Sequence, residues 1–363
     1  MADLSFLKKV KSDLAKAGIE EGSSEPPRYW YSAGNYAMNK ILSGSFLKAI
    51  PQGRVTGLVG PSGAGKSFVL CNLMREAQKE GANIVVLDSE NALDDDFVSK
   101  IGVDVNDGYT YFDVTTIPEV EKIVSNTLTG YREAYKNDLE NAPHLFFAID
   151  SLNMLMTETE EDNFDKGVSK GDQGQQNKQL KAMLKRFVQK IKGFNITMVV
   201  TGHVYKNQDV LNGEGVWMVA DAIKFSLSQI AMLSKLKLRE GTGADRTVTG
   251  IQLKVEGYKT RFTRPFQTVT VQVPYETGMD PYNGLLAVAI EMGVVEQNGS
   301  SYTFEGESYK GKDNFPNELM ANVLVKCEAG REKFLAAALD GVEEDVEKQE
   351  SAKSKREKKH KGE

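Results

Sequence analysis

Four near-continuous apolar runs stand out between Arg54 and His203: RVTGLVG from Arg54, ANIVVLD from Ala82, HLFFAID from His144 and NITMVVTGH from Asn195. Runs of this kind lack the alternation of a half-exposed strand. They suit strands buried on both faces of a parallel sheet. Segments with helical spacing separate them, among them KSFVLCNLMREAQKE from Lys66 and QLKAMLKRFVQKIKGF from Gln179. The alternation predicts a doubly wound α/β domain. Two later runs, QIAMLSKLKLRE and RTVTGIQLKVEG, flank GTGAD and predict a hairpin with a Gly-rich turn.

The pattern changes at both ends. Leu4, Leu7, Val10 and Leu14 fall at helical spacing, so residues 1–18 predict a short amphipathic helix. GIEEGSSEPPRY then reads as a linker. Past Gly278, YNGLLAVAIEMGVV predicts a helix, SYTFEGESY a small hairpin, and a further helix ends near Leu339. The chain divides into a helix and linker over 1–30, a core over 31–275, a small α+β domain over 276–340 and a charged, disordered tail over 341–363.

Composition narrows the class. Hydrophobic residues make up 40% of the 363 and charged residues 26%, the balance of a soluble globular protein. No apolar run is long enough to cross a bilayer, and the N-terminus lacks a signal-peptide pattern, so a cytoplasmic protein without membrane partners is expected. Cys71 and Cys327 are too far apart for metal-ligand spacing and read as packing residues. The net charge of −6 argues against non-specific nucleic-acid binding but leaves room for a local basic groove.

The most specific signal is Gly60-Pro61-Ser62-Gly63-Ala64-Gly65-Lys66-Ser67, which fits G-x-x-x-x-G-K-[ST] between a strand and a helix. Its glycines let backbone N–H groups converge on phosphates, and the helix N-terminus adds partial positive charge. Lys66 supplies a full charge, and the Ser67 hydroxyl suits Mg²⁺. Asp150, ending a buried run, is a candidate carboxylate for the metal's water shell. Glu90, in Asp88-Ser89-Glu90, is placed at the end of a strand beside the phosphate-loop strand. There it either activates water or caps the next helix.

Around these residues the chain resembles the RecA-type recombinases, and within them the recombinases of T-even phages. Further segments carry the resemblance in order: DSENALD, SKIGVD, AIDSLNML, VVTGH, DAIKFS, ETGMDPYNGLLAVAIEMGVV and SYTFEGESYKGK. It implies a RecA-like ATPase core with a mostly parallel sheet, using ATP and Mg²⁺. It implies Glu90 as the residue that activates water and Asp150 as the carboxylate behind Mg²⁺. Asp94 and Phe97 match adenine-contacting positions, and Tyr275 a second adenine-proximal tyrosine brought by a neighbouring subunit. His203 stands where bacterial RecA has glutamine; the position senses the γ-phosphate and signals to the DNA loop after it. Lys259 and Arg261 match two cations lent in trans to the next subunit's nucleotide.

Two loops are expected to hold DNA: one within about 163–174, with Lys166 and Lys170, and one from His203 to about Ala220, with Lys206, Tyr205 and Trp217. The lysines either neutralise phosphates or are solvated; the aromatic rings either stack on bases or pack within the loop. The tail joins acidic VEEDVEKQE to basic KSKREKKHK, either a duplex-DNA tether or a solvated end. The resemblance implies helical homo-oligomeric filaments on single-stranded DNA, pairing with duplex DNA, and help from a single-strand-binding protein and a recombination mediator. A hexameric helicase and a non-catalytic mediator are the alternatives on the same core.

Overall fold

The computed structural model describes residues 5–18, 26–168, 174–206, 217–241 and 246–332. In chain order the elements are α1 (Ser5–Lys16), β1 (Trp30–Tyr31), α2 (Tyr36–Ser43), β2 (Ile50–Pro51), β3 (Val55–Gly60), α3 (Lys66–Lys79), β4 (Asn83–Asp88), α4 (Asp95–Ile101), β5 (Tyr109–Asp113) and α5 (Ile117–Tyr135). There follow β6 (Leu145–Asp150), α6 (Glu158–Asp165), α7 (Gln175–Lys190), β7 (Ile196–Lys206), β8 (Trp217–Val219), α8 (Asp221–Ser226), β9 (Gln229–Glu240), β10 (Thr247–Lys259) and β11 (Thr268–Pro274). The C-terminal part adds α9 (Leu285–Glu291), β12 (Glu296–Asn298), β13 (Ser301–Phe304), β14 (Glu307–Lys310) and a helix from 320 to the last described residue.

The main sheet runs β11-β10-β9-β3-β7-β6-β4-β5, with β8 added to the far end of β7. Strands β9, β3, β7, β6, β4 and β5 are parallel; β10 and β11 extend the sheet antiparallel. The mostly parallel α/β core expected from the apolar runs is therefore present. Strands β3 and β6 are buried at every position, because helices cover both faces. On one face α2 and α3 pack around Met38, Leu70, Leu73 and Phe146. On the other α5, α7 and α8 pack around Val124, Leu184, Phe187 and Ile223.

Local chemistry sets the helix ends. Thr116 and Glu119 form a reciprocal capping box at the start of α5, and Asp94 caps α4 by accepting from Phe97 N at 2.8 Å. The C-terminal unit shares the α2/α3 cluster: Leu285, Phe304, Phe315 and Val323 belong to it. Asn35 ties the same junction, its side-chain amide donating to the carbonyls of Asp280 and Asn283, both at 2.9 Å. Both cysteines are buried packing residues. Among the described residues no helix is long and apolar enough to cross a membrane.

Three features differ from the expectations. Strand β4 is not beside the phosphate-loop strand β3, because β7 and β6 intervene. The segment after His203 does not leave the sheet at once: β7 continues to Lys206 and pairs antiparallel with β8, Tyr205 opposite Met218. The first expected loop begins as helix, since α6 runs to Asp165 under a Thr157–Glu160 capping box. The 242–245 hairpin turn, Lys170, the linker over 19–25 and the charged tail lie outside the described residues.

Candidate phosphate and nucleotide site

The site grows from the carboxyl ends of β3, β4, β6 and β7. The chain leaves β3 at Gly60, where an added Cβ would stand 2.4 Å from the carbonyl oxygen of Leu233 on β9; only glycine permits that approach. Gly65, with φ of 92°, is the N-cap of α3 and offers no side-chain acceptor. The first N–H groups of α3 therefore have no side-chain cap and point where an anion can take their hydrogen bonds.

Lys66 folds back over this loop. It is buried, and its Nζ donates to Gly60 O at 3.3 Å, Pro61 O at 3.2 Å and His203 Nδ1 at 3.4 Å. Burial lowers its pKa, and the charges of Glu90 and Asp150 oppose the shift. The other ring nitrogen of His203, Nε2, lies 3.1 Å from Glu90 Oε1. An ammonium on Nδ1 and a carboxylate at Nε2 select one neutral tautomer, with the proton on Nε2 donated to Glu90. His203 is itself held from the backbone, its N–H donating to Asn153 Oδ1 at 2.6 Å.

Glu90 reaches this chain across two strands rather than from an adjacent one. Three residues, Asp88, Ser89 and Ser151, hold its turn. Buried Asp88, at the end of β4, accepts from Glu90 N, Ala92 N and Leu93 N, each at 2.9 Å, and from the Tyr111 hydroxyl at 3.2 Å. Ser89 ties the turn to β6, its N–H donating to Asp150 O at 2.6 Å and its hydroxyl to Ser151 O at 2.7 Å. Ser151 Oγ then donates to Glu90 Oε1 at 2.5 Å. Burial alone would raise the Glu90 pKa; hydrogen bonds from Ser151 and His203, then the Lys66 charge, outweigh it and hold it below the ordinary value. Glu90 is thus a carboxylate at neutral pH.

Asp88 and Ser151 had no role assigned from the sequence. Their only signal there is adjacency: each is within two positions of a candidate carboxylate. Asp88→Asn replaces one carboxylate oxygen with an NH₂, so either Glu90 N or both Ala92 N and Leu93 N lose their acceptor, and each buried N–H left unpaired costs about 1–3 kcal/mol. Displacing Glu90 in this way should lower turnover about a hundredfold if Glu90 acts on a bound phosphate. The Glu90→Gln background separates positioning from general damage. There Asp88→Asn should cost the same stability and no further turnover.

Asp150 fits a metal's water shell. It is fully buried; one oxygen accepts from the Thr201 hydroxyl, and Oδ2 has no hydrogen-bond partner among the described residues. Burial raises its pKa against the hydroxyls of Ser67 and Thr201, so a cation near Ser67 would relieve a carboxylate desolvated by the fold.

Other expected residues are spread out. Asp94 and Phe97 sit together at the start of α4, the Asp94 carboxylate engaged in capping and the Phe97 ring half-buried against the core. Tyr275 follows β11 at the carboxyl end of the sheet and is 67% exposed. Lys259 lies toward the other end: it pairs with Ile230, which pairs with Gly57, and its Nζ donates to Lys224 O at 2.7 Å. Arg261 follows it, exposed. The fold does not direct either cation to Lys66 of the same chain. Lys166 caps α6 and pairs with Asp162 at 3.5 Å; Tyr205 is 49% exposed. Lys206 and Trp217 face each other in the β7–β8 register, with their side chains outside the description.

Comparisons with known proteins agree with this frame. Residues 8–118 match the family model described as the RecA N-terminal domain. Protein RecA of Leifsonia xyli subsp. xyli (strain CTCB07) is 24% identical over 323 residues, which cover 88% of this chain and 83% of that protein. Protein RecA of Phytoplasma mali (strain AT) is 23% identical over 333 residues, covering 88% and 90%. Protein RecA of Pseudomonas putida is 25% identical over 328 residues, covering 88% and 83%. Each of these similarities runs along most of both chains.

Proposed function

We propose that this chain is an ATP-dependent homologous recombinase of the RecA type, a DNA-stimulated ATPase that assembles as helical filaments on single-stranded DNA and exchanges strands with a homologous duplex. The observation that carries the reading is the unbroken polar chain Ser151–Glu90–His203–Lys66 at the mouth of the phosphate loop. It joins a carboxylate able to accept a proton to the lysine expected to hold the β- and γ-phosphates.

In this reading the 60–67 loop binds the ATP phosphates through backbone N–H groups and Lys66. Ser67 would hold Mg²⁺, with Asp150 behind its water shell, and the bound ion would supply charge neutralisation at the phosphates. Glu90 orients the attacking water and takes its proton; Ser151 and His203 hold the carboxylate in one position. Asp94, Phe97 and Tyr275 serve the adenine. His203 begins the last turn of β7 before the β7–β8 ribbon, so a shift of its ring at the γ-phosphate is transmitted along one strand to Tyr205 and Lys206. DNA is gripped there and near Lys166 and Lys170, with Trp217 on the opposing strand. Lys259 and Arg261 act on the adjacent subunit's nucleotide, consistent with their position away from Lys66. Histidine at position 203 favours the phage branch, and a single-strand-binding protein and a loading mediator are the expected partners.

Electron microscopy with single-stranded DNA and a non-hydrolysable ATP analogue tests the assembly. Open helical filaments are expected. Closed hexameric rings would instead mark a helicase on the same core.

A further inference from the structure

The phosphate loop lies between two strands that flank β3. On the β7 side Lys66 and His203 meet over it, with Glu90 beyond them. On the other side β9 pairs with β3 from Gln229 opposite Thr56 to Met232 opposite Val59. It then runs on to Glu240, past the point where β3 gives way to the loop. Residues paired across an antiparallel ladder share a face of the sheet. Lys235 pairs with Leu253, and Lys237 with Ile251. Leu253 is buried in the core cluster that α3 covers. A Cβ added to Gly65 would stand 3.4 Å from Leu253 Cδ1 and 3.9 Å from Ile251 Cδ1. The face of β9 that carries both lysines is therefore the face on which the phosphate loop is laid.

Lys235 reaches the loop itself. A Cβ added to Gly63 would stand 3.6 Å from Lys235 Nζ and 3.9 Å from its Cε. The ammonium thus rests against the loop backbone, and it makes no hydrogen bond or ion pair among the described residues. The carboxylates of the site, Glu90 and Asp150, follow β4 and β6 on the far side of β3. The converging N–H groups of the loop and the start of α3 carry partial positive charge and do not attract an ammonium. A phosphate held by those N–H groups does.

We infer that Lys235 is a second phosphate-binding cation of the same chain, placed across the loop from Lys66, and that it holds the phosphates ATP and ADP have in common. The contact rests on the nucleotide reading of the 60–67 loop. Its side of the loop decides which phosphates it meets. Glu90 and His203, which serve the γ-phosphate in that reading, stand across β3, so the β9 side is left to the α- and β-phosphates. A charge on those phosphates is felt equally before and during hydrolysis. It therefore adds affinity and leaves turnover unchanged. Lys237, two residues further along the same face, carries the same charge but comes no closer than 4 Å to the Gly63 position.

The test is a calorimetric titration of the full chain, without DNA, with ADP and with a non-hydrolysable ATP analogue, each with Mg²⁺. Lys235→Gln should weaken both by about tenfold, the size of one partly screened charge-assisted contact. Lys235→Arg should restore most of the affinity, and Lys237→Gln should change it by less than about twofold. Wild-type affinity should fall with added salt more steeply than that of Lys235→Gln. In DNA-stimulated hydrolysis Lys235→Gln should raise KM and keep kcat. Three results would overturn the contact: Lys235→Gln binding both nucleotides as the wild type does, equal losses in the two glutamine variants, or lost duplex-DNA binding with nucleotide affinity intact. A wild-type chain that binds neither nucleotide would overturn the nucleotide reading along with it.

Discussion

Glu90→Gln should bind ATP and single-stranded DNA as the wild type does and hydrolyse ATP about a hundred to ten thousand times more slowly, the range for loss of a positioned proton acceptor. The size of the effect follows from what the substitution preserves. Ser151 Oγ and His203 Nε2 both donate to Oε1 of Glu90, and a glutamine Oε1 accepts the same two bonds. The Asp88-held turn is built from backbone N–H groups and is unaffected. What goes is the negative charge and the capacity to take a proton. Hydrolysis, nucleotide affinity and DNA affinity are measured on the same preparation. Turnover near the wild-type rate would remove Glu90 from the chemistry and leave it as an anchor for His203.

The second large effect concerns the cations that the fold turns away from their own phosphate loop. Lys259→Ala and Glu90→Ala should each be nearly inactive in DNA-stimulated hydrolysis. Lys259 donates to the carbonyl of Lys224, and burial, then the charge of Arg261, lowers its pKa. A desolvated cation beside another cation gains most from a phosphate, whose charge in the transition state it can share. In the proposed filament a head-to-tail contact would put the lysine of one subunit against the nucleotide of the next. A one-to-one mixture of the two variants then regains activity at about a quarter of interfaces if pairing along the filament is random. Co-assembled mixtures no more active than the separate variants would place Lys259 outside hydrolysis.

Most of the sheet was legible because burial on two faces writes itself as unbroken apolar runs, as in HLFFAID for β6. Two strands of the main sheet without a prediction, β5 and β11, are exposed on one side. β5 is TYFD with a leading Tyr109, half-exposed along its length, and β11 alternates buried Val269, Val271 and Val273 with exposed residues. That alternation is itself a strand signal, but at the edge of a sheet it is short and resembles polar loop. Strand order is not written locally at all. Placing β4 beside β3 assumed that consecutive strands are neighbours, and the crossover that inserts β6 and β7 between them depends on which helix faces which side.

The candidate site divides along the same line. The phosphate loop is a contiguous motif whose chemistry is in its spacing, so Gly60 to Ser67 could be read directly. The residues that complete it come from three further strand ends, those of β4, β6 and β7, and meet only in space. Asp88 illustrates the difference: in the sequence it is one more acid in an acidic stretch, and in the fold it is a buried acceptor for three backbone N–H groups that fix Glu90. Likewise Ser151 is an unremarkable hydroxyl after Asp150 until the β4 turn brings Glu90 within 2.5 Å of it. The β7–β8 pairing was hidden for a different reason. YK and WM carry strand propensity, but the intervening Gly- and Asn-containing stretch reads as loop throughout.

The recombinase reading is tested most directly by strand exchange. Circular single-stranded DNA coated with the purified protein is given a homologous linear duplex, with ATP and Mg²⁺. Joint molecules that mature to nicked circles are the expected product. They should form only with homologous duplex and fail with Lys66→Ala, which removes the phosphate charge from the loop. Sequence matching in the products comes from base pairing, so any homologous pair of substrates should serve. Unwinding of a forked duplex with no joint molecules would contradict the reading and point to a translocating motor on the same core.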